Sequence, residues 1–121
     1  AIWNGPLGVY EFEKYKQTLY NVAVYNEKSC FVIADYNGAD IMSQNYLMDV
    51  LEMSPDRVTV YHMGDTPMNV NPKVVNLRGG FKTDSERDEA MTLVSISDIA
   101  FVRDNKVMSG TGENIIRRFL L

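Results

Sequence analysis

Three short polar turns in this sequence combine residue types that bind anions and sugar hydroxyls. The cluster Ser109-Gly110-Thr111-Gly112 follows the apolar run Ile99-Ala100-Phe101-Val102, one polar turn later, and leads into an amphipathic segment through Glu113 and Asn114. A strand that delivers a Gly-rich turn onto a helix N-terminus is physically an anion site. The first helical N–H groups have no intrahelical partner, the helix dipole is positive there, and glycine lets a phosphate approach the backbone. The same residues also make an ordinary helix cap. The second turn, Asp35-Tyr36-Asn37-Gly38, leads into Ala39-Asp40 and carries two carboxylates that can take ribose hydroxyls or a metal. A plain alternative is that Asp35 holds the turn and Asp40 favours the first helical turn by its charge. The third turn, Asn4-Gly5-Pro6-Leu7-Gly8, follows the apolar start Ala1-Ile2-Trp3.

Few other residues carry chemistry. Arg87 and Asp88 either place charge in a pocket or form the solvated face of their own helix. His62 is the lone histidine and sits at a strand end, where a structural or surface role is expected because no Cys or Ser partner has recognisable spacing. One cysteine and one histidine give no zinc spacing, so no metal site and no cofactor are expected. Cys30 lies in the apolar run Cys30-Phe31-Val32-Ile33 and reads as a buried core thiol.

The elements that must position these turns follow from periodicity. Val9, Phe12, Tyr15, Leu19 and Val22 fall at helical spacing, and Cys30–Ala34 reads as a buried central strand. Ala39–Met53 is helical up to Ser54-Pro55-Asp56, and Arg57–His62 is the next strand. Gly64 to Lys82 holds Pro67, Pro72, Gly79 and Gly80, and reads as a long functional loop with a short Val74-Val75 run. Thr83-Asp84-Ser85-Glu86 has capping-box form and starts a helix to about Val94. The order β-α-β-α-β-loop-α-β-α predicts a Rossmann-like three-layer α/β/α fold with a mostly parallel sheet. In such sheets ligands sit beyond the carboxyl ends of the strands, and all three turns follow strands, so they are expected on one edge.

The bulk numbers set outer limits. The chain has 121 residues, 45% of them hydrophobic, which suits a single domain over 1–121 with a real core. Its 12 Lys and Arg against 16 Asp and Glu give a net charge of -4, which disfavours nucleic acid and anionic membrane as partners. Backbone amides can still bind a small anion. A single cysteine, no apolar run near about 18 residues and no charged-then-apolar leader imply a cytoplasmic setting. The apolar tail Phe119-Leu120-Leu121 suggests a homodimer that covers it, or packing back on the domain's own core.

The succession IADYNGADIMSQNYL, VTVYHMG, RDEAMT, SDIAFVRD and SGTGENI resembles the SLOG superfamily of Rossmann-like nucleotide-binding domains. That group includes DNA-processing proteins and the phosphoribohydrolases that activate cytokinins. The resemblance runs in order from about Phe31 to Arg118. It implies a nucleotide-like ligand at the strand ends, contacted by Asn4 and Gly5, then Asp35, Gly38 and Asp40, then Ser109, Gly110, Thr111 and Asn114.

The pattern also departs from its hydrolytic branch. There a Glu follows the G-T turn and supports N-glycosidic cleavage, and the resembling deoxyribosyltransferases use such a Glu as nucleophile. That position is Asn114 here, with Glu113 one residue early and rotated by about 100° on a helix. An amide cannot form the glycosyl ester. The position before Asp35, Gly in the family, is Ala34 here. A second, local resemblance links WNGPLGVYE, residues 3–11, to the nucleotide-site segment of phosphoglycerate kinases. It implies phosphate contact at Asn4 and ribose contact at Glu11, and nothing downstream continues it.

The expected function is therefore binding of a nucleotide or nucleotide-derived ligand at the strand ends. One alternative is an N-glycosidase or deoxyribosyltransferase acting on a nucleoside derivative, with Asp40, Asp88 and Glu113 as candidate carboxylates. Another is a protein–protein interaction module that uses the 64–82 loop as its contact surface.

Overall fold

The computed structural model describes residues 1–3 and 9–99. Within them the element order is α1 (Val9–Tyr25), β1 (Phe31–Ile33), α2 (Ala39–Asn45), β2 (Val58–Met63), β3 (Asn76–Phe81) and α3 (Asp84–Val94). The three strands form a parallel sheet in the order β1-β2-β3. Register runs Phe31 with Val58 and Ile33 with Val60, then Val60 with Leu77 and Tyr61 with Arg78. Ile2 bridges in parallel to Ile33 on one side and Ile99 on the other. Hydrogen bonds from Ile2 N to Val32 O (2.9 Å) and from Trp3 N to Ile99 O (3.1 Å) hold these bridges.

Burial on both faces explains why β1 and β2 read as continuous apolar runs. Phe31, Ile33, Val58 and Val60 point to one face and pack with Phe12, Tyr15 and Leu19 of α1 and with Leu47 and Met48. Ala34 and Tyr61 point to the other face and pack with Trp3 and Met91 of α3. Helices thus cover both faces of a parallel sheet, which is the α/β architecture expected from the element order. The α1 stripe Phe12, Tyr15, Leu19 and Ala23 follows helical spacing, and all four are buried.

Several local expectations need correction. The helix expected over Ala39–Met53 leaves α-geometry after Asn45 and widens into a π-helical turn over Tyr46–Val50, where Leu51 N reaches Tyr46 O. The 64–82 segment contains a full strand, β3, which sequence reading took for loop. Asn76-Leu77-Arg78-Gly79-Gly80-Phe81 has no apolar alternation and is mostly exposed, so only its pairing with β2 marks it as a strand. Cys30 is exposed rather than buried. It precedes β1, and its thiol lies 3.8 Å from the Lys28 carbonyl oxygen instead of entering the core. The capping box at α3 forms as expected, with Thr83 Oγ1 accepting from Glu86 N at 3.1 Å. Among the described residues no helix is long and apolar enough to cross a membrane.

Candidate functional site

β1 ends at Ile33, and two residues later the chain places Asp35 at the carboxyl edge of the sheet, 2% exposed. Asp35 Oδ2 accepts the Met68 N–H at 2.7 Å, and its carbonyl oxygen accepts from Asn69 Nδ2 at 3.0 Å. The loop after β2 is thereby folded back over the end of β1. Gln44 of α2 locks it there. Its Nε2 donates to Ala34 O at 3.1 Å and Asn69 O at 3.4 Å, while its Oε1 accepts from Asn71 N at 2.9 Å. Asn71 Nδ2 adds bonds to Asn45 Oδ1 and Asp49 Oδ2.

Asp40, the second residue of α2, is fully buried. Its Oδ2 accepts the Tyr36 N–H at 3.0 Å, tying the turn to the helix it precedes. Burial pushes its carboxyl up to about 7, with further upward pressure from Asp35 and Asp88. The Tyr36 N–H and Arg87 oppose that rise without cancelling it. On the α1 side, Tyr15 is raised well above the usual phenol value by burial and by the charge of Asp40, and its hydroxyl donates to Ile99 O at 3.2 Å.

α3 completes the cluster. Arg87 is 3% exposed, so its guanidinium turns inward rather than onto a solvated helix face. Its Nε and Nη2 donate to Asp88 Oδ1 at 3.1 and 2.9 Å. Its Nη1 lies 3.4 Å from Asp84 Oδ1 and 4.0 Å from Asp35 Oδ1. The guanidinium carbon sits 4.7 Å from the centre of the Tyr36 ring, and the Tyr36 hydroxyl donates to Asp84. Four aspartates thus surround one arginine. With all of them ionised the cluster is net negative, which favours hydrogen-bond donors over phosphate.

Of the sequence-predicted residues, Asp35, Asp40, Arg87 and Asp88 come together here, and Gly38 makes the turn between the first two with φ 88°. Asn4, Gly5, Ser109, Gly110, Thr111, Glu113 and Asn114 lie outside the described residues. His62 is buried, with Nδ1 3.1 Å from Met63 O and its ring against Gly79. Among the described residues no group of three His, Cys, Asp or Glu side chains is placed to hold a metal ion. Sequence reading missed Tyr36, Asp84, Gln44 and the Met68–Asn69 backbone. A buried Gln inside a helix signals a loop that needs pinning, but its partners are distant in the chain.

No family model, curated protein or solved structure matches this chain.

Proposed function

We propose that this chain is a SLOG-type domain that binds a nucleotide or nucleotide-derived ligand at the carboxyl ends of its strands. The observation that supports this reading most is the convergence of Asp35, Asp40, Arg87 and Asp88 at the end of β1, from three separate segments of a parallel α/β sheet. Ligands of such sheets occupy that edge. The negative cluster suits the hydroxyl and amino donors of a nucleoside, while the phosphate falls to the Ser109–Asn114 turn. Asp88 and Asp84, with side chains 14% and 56% exposed, form the accessible rim. In this reading the domain works in the cytoplasm, as a homodimer. A thermal-shift screen against nucleotides, deoxynucleotides, cyclic nucleotides and ADP-ribose tests it, because a ligand that binds the native state raises stability by mass action. A rise in melting temperature with at least one of these supports the reading, and a flat response across the panel ends it.

One observation favours a second reading, cleavage of an N-glycosidic bond. A carboxyl held near 7, as Asp40 is, suits a general acid, and a second carboxylate beside the anomeric carbon would be Asp88. Asp40 Oδ2 is already engaged by the Tyr36 N–H, so binding is the preferred reading. Incubation with AMP and with deoxyribonucleoside monophosphates separates the two. Release of free base that disappears in Asp40→Asn or Asp88→Asn selects the enzyme.

A further inference from the structure

Asp35 and Arg87 are each held from one side and left without a hydrogen bond on the other. Asp35 Oδ2 is bound to Met68 N, but Asp35 Oδ1 has no hydrogen-bond partner and is buried. Arg87 Nε and Nη2 are bound to Asp88, but Arg87 Nη1 is buried and makes no hydrogen bond, its nearest carboxylate oxygen being Asp84 Oδ1 at 3.4 Å. Asp35 Oδ1 and Arg87 Nη1 form a long ion pair at 4.0 Å, too far for a direct hydrogen bond. Closing the gap would pull Asp35 off the Met68 N–H or Arg87 off Asp88. Native proteins rarely leave a buried donor and acceptor unpaired.

We propose that the space between Asp35 Oδ1 and Arg87 Nη1 is a seat for one hydroxyl oxygen, filled by a sugar hydroxyl of the bound ligand and by water in the free protein. The sugar half rests on the nucleotide-binding reading above, whereas the seat itself does not. Geometry selects the chemistry. A point about 2.8 Å from each atom exists for a 4.0 Å separation, with an angle near a right angle at the guest oxygen. The guest must donate to Asp35 Oδ1 and accept from Arg87 Nη1 at once. A hydroxyl does both, an ammonium cannot accept, and an ionised phosphate or a carbonyl oxygen cannot donate. The seat also lies close to solvent. Tyr36, which stacks on the guanidinium, is only part-buried, and Asp84, which bonds the Tyr36 hydroxyl, is more than half exposed.

The test has two arms on the full chain. A crystal structure of the free protein is expected to show an ordered solvent oxygen within hydrogen-bond distance of both Asp35 Oδ1 and Arg87 Nη1. A direct Asp35–Arg87 hydrogen bond in its place overturns the seat. The second arm titrates AMP, 2′-deoxy-AMP and 3′-deoxy-AMP. A site built to hydrogen-bond a hydroxyl rejects the analogue that lacks it, so one deoxy form is expected to bind ~100-fold more weakly or worse. Equal affinity for all three overturns delivery of the hydroxyl by the sugar. A bridging solvent oxygen with no AMP binding upholds the seat and removes the nucleotide reading instead.

Discussion

Asp40 and Tyr36 are tied across the turn between β1 and α2, with Asp40 Oδ2 accepting the Tyr36 N–H at 3.0 Å. The bond closes a tight loop whose bend is made at Gly38, with φ 88° and ψ -131°. That bend sets both carboxylates of the site, Asp35 before it and Asp40 after it.

Gly38→Ala is expected to destabilise the fold by about 1–3 kcal/mol, the usual cost of a backbone conformation open only to glycine. Urea unfolding of the variant measures it. An unchanged midpoint would show that the turn does not depend on this conformation.

Asp40 makes stability depend on pH in a defined direction. Its carboxyl is raised from 3.8 to about 7 in the fold, so the folded state binds the proton more tightly than the unfolded chain. Its contribution is therefore fully present below about pH 4 and is lost as pH climbs through about 7. At roughly 1.4 kcal/mol per unit the loss amounts to several kcal/mol. Asp40→Asn keeps an acceptor for Tyr36 N and carries no charge. It is expected to be more stable than the wild type at pH 8, with the difference shrinking by pH 5. Parallel denaturation curves at all pH values would refute the assignment.

Gly79 faces the ring of His62 so closely that an added Cβ would lie 2.1 Å from its Cε1 atom. Gly79→Ala is expected to cost about 1–3 kcal/mol through overpacking. Adding His62→Ala should recover part of that loss, since the two positions share one space. Strict additivity in this double-mutant cycle would mean that the contact is not the cause.

Arg87 is the cation among four aspartates, and removing it leaves buried carboxylates without compensation. Arg87→Met is expected to lose about 3–5 kcal/mol at pH 8. The loss should be smaller at pH 5, where protonation of Asp40 relieves part of the repulsion. Chemical denaturation at the two pH values reads both effects, and an equal loss at both contradicts the electrostatic origin.

The layers of this fold were legible in the sequence because β1 and β2 are apolar runs, α1 buries a periodic apolar stripe, and the Thr83–Glu86 capping box marks the start of α3. β3 was not legible, since Arg78, Gly79 and Gly80 have no strand pattern and the strand exists by pairing with β2. Cys30 was misread because its neighbours Phe31–Ile33 enter the core while it stops just short. Of the site, Asp35 and Asp40 were visible from the turn that holds them. The inward turn of Arg87 was not, because the DSERDE run reads as a solvated face until the opposing carboxylates are in place. Gln44 and the 68–71 backbone meet only through folding over more than twenty residues.

On the function proposed above, the Asp35–Arg87 cluster at the end of β1 binds a nucleotide-type ligand. Isothermal titration of the wild type and Asp35→Ala with AMP tests it most directly, with circular dichroism confirming that the variant is folded. Saturable binding to the wild type and a loss of at least about tenfold in the variant are expected. Absence of binding to the wild type, or equal affinity in a folded Asp35→Ala protein, would contradict it.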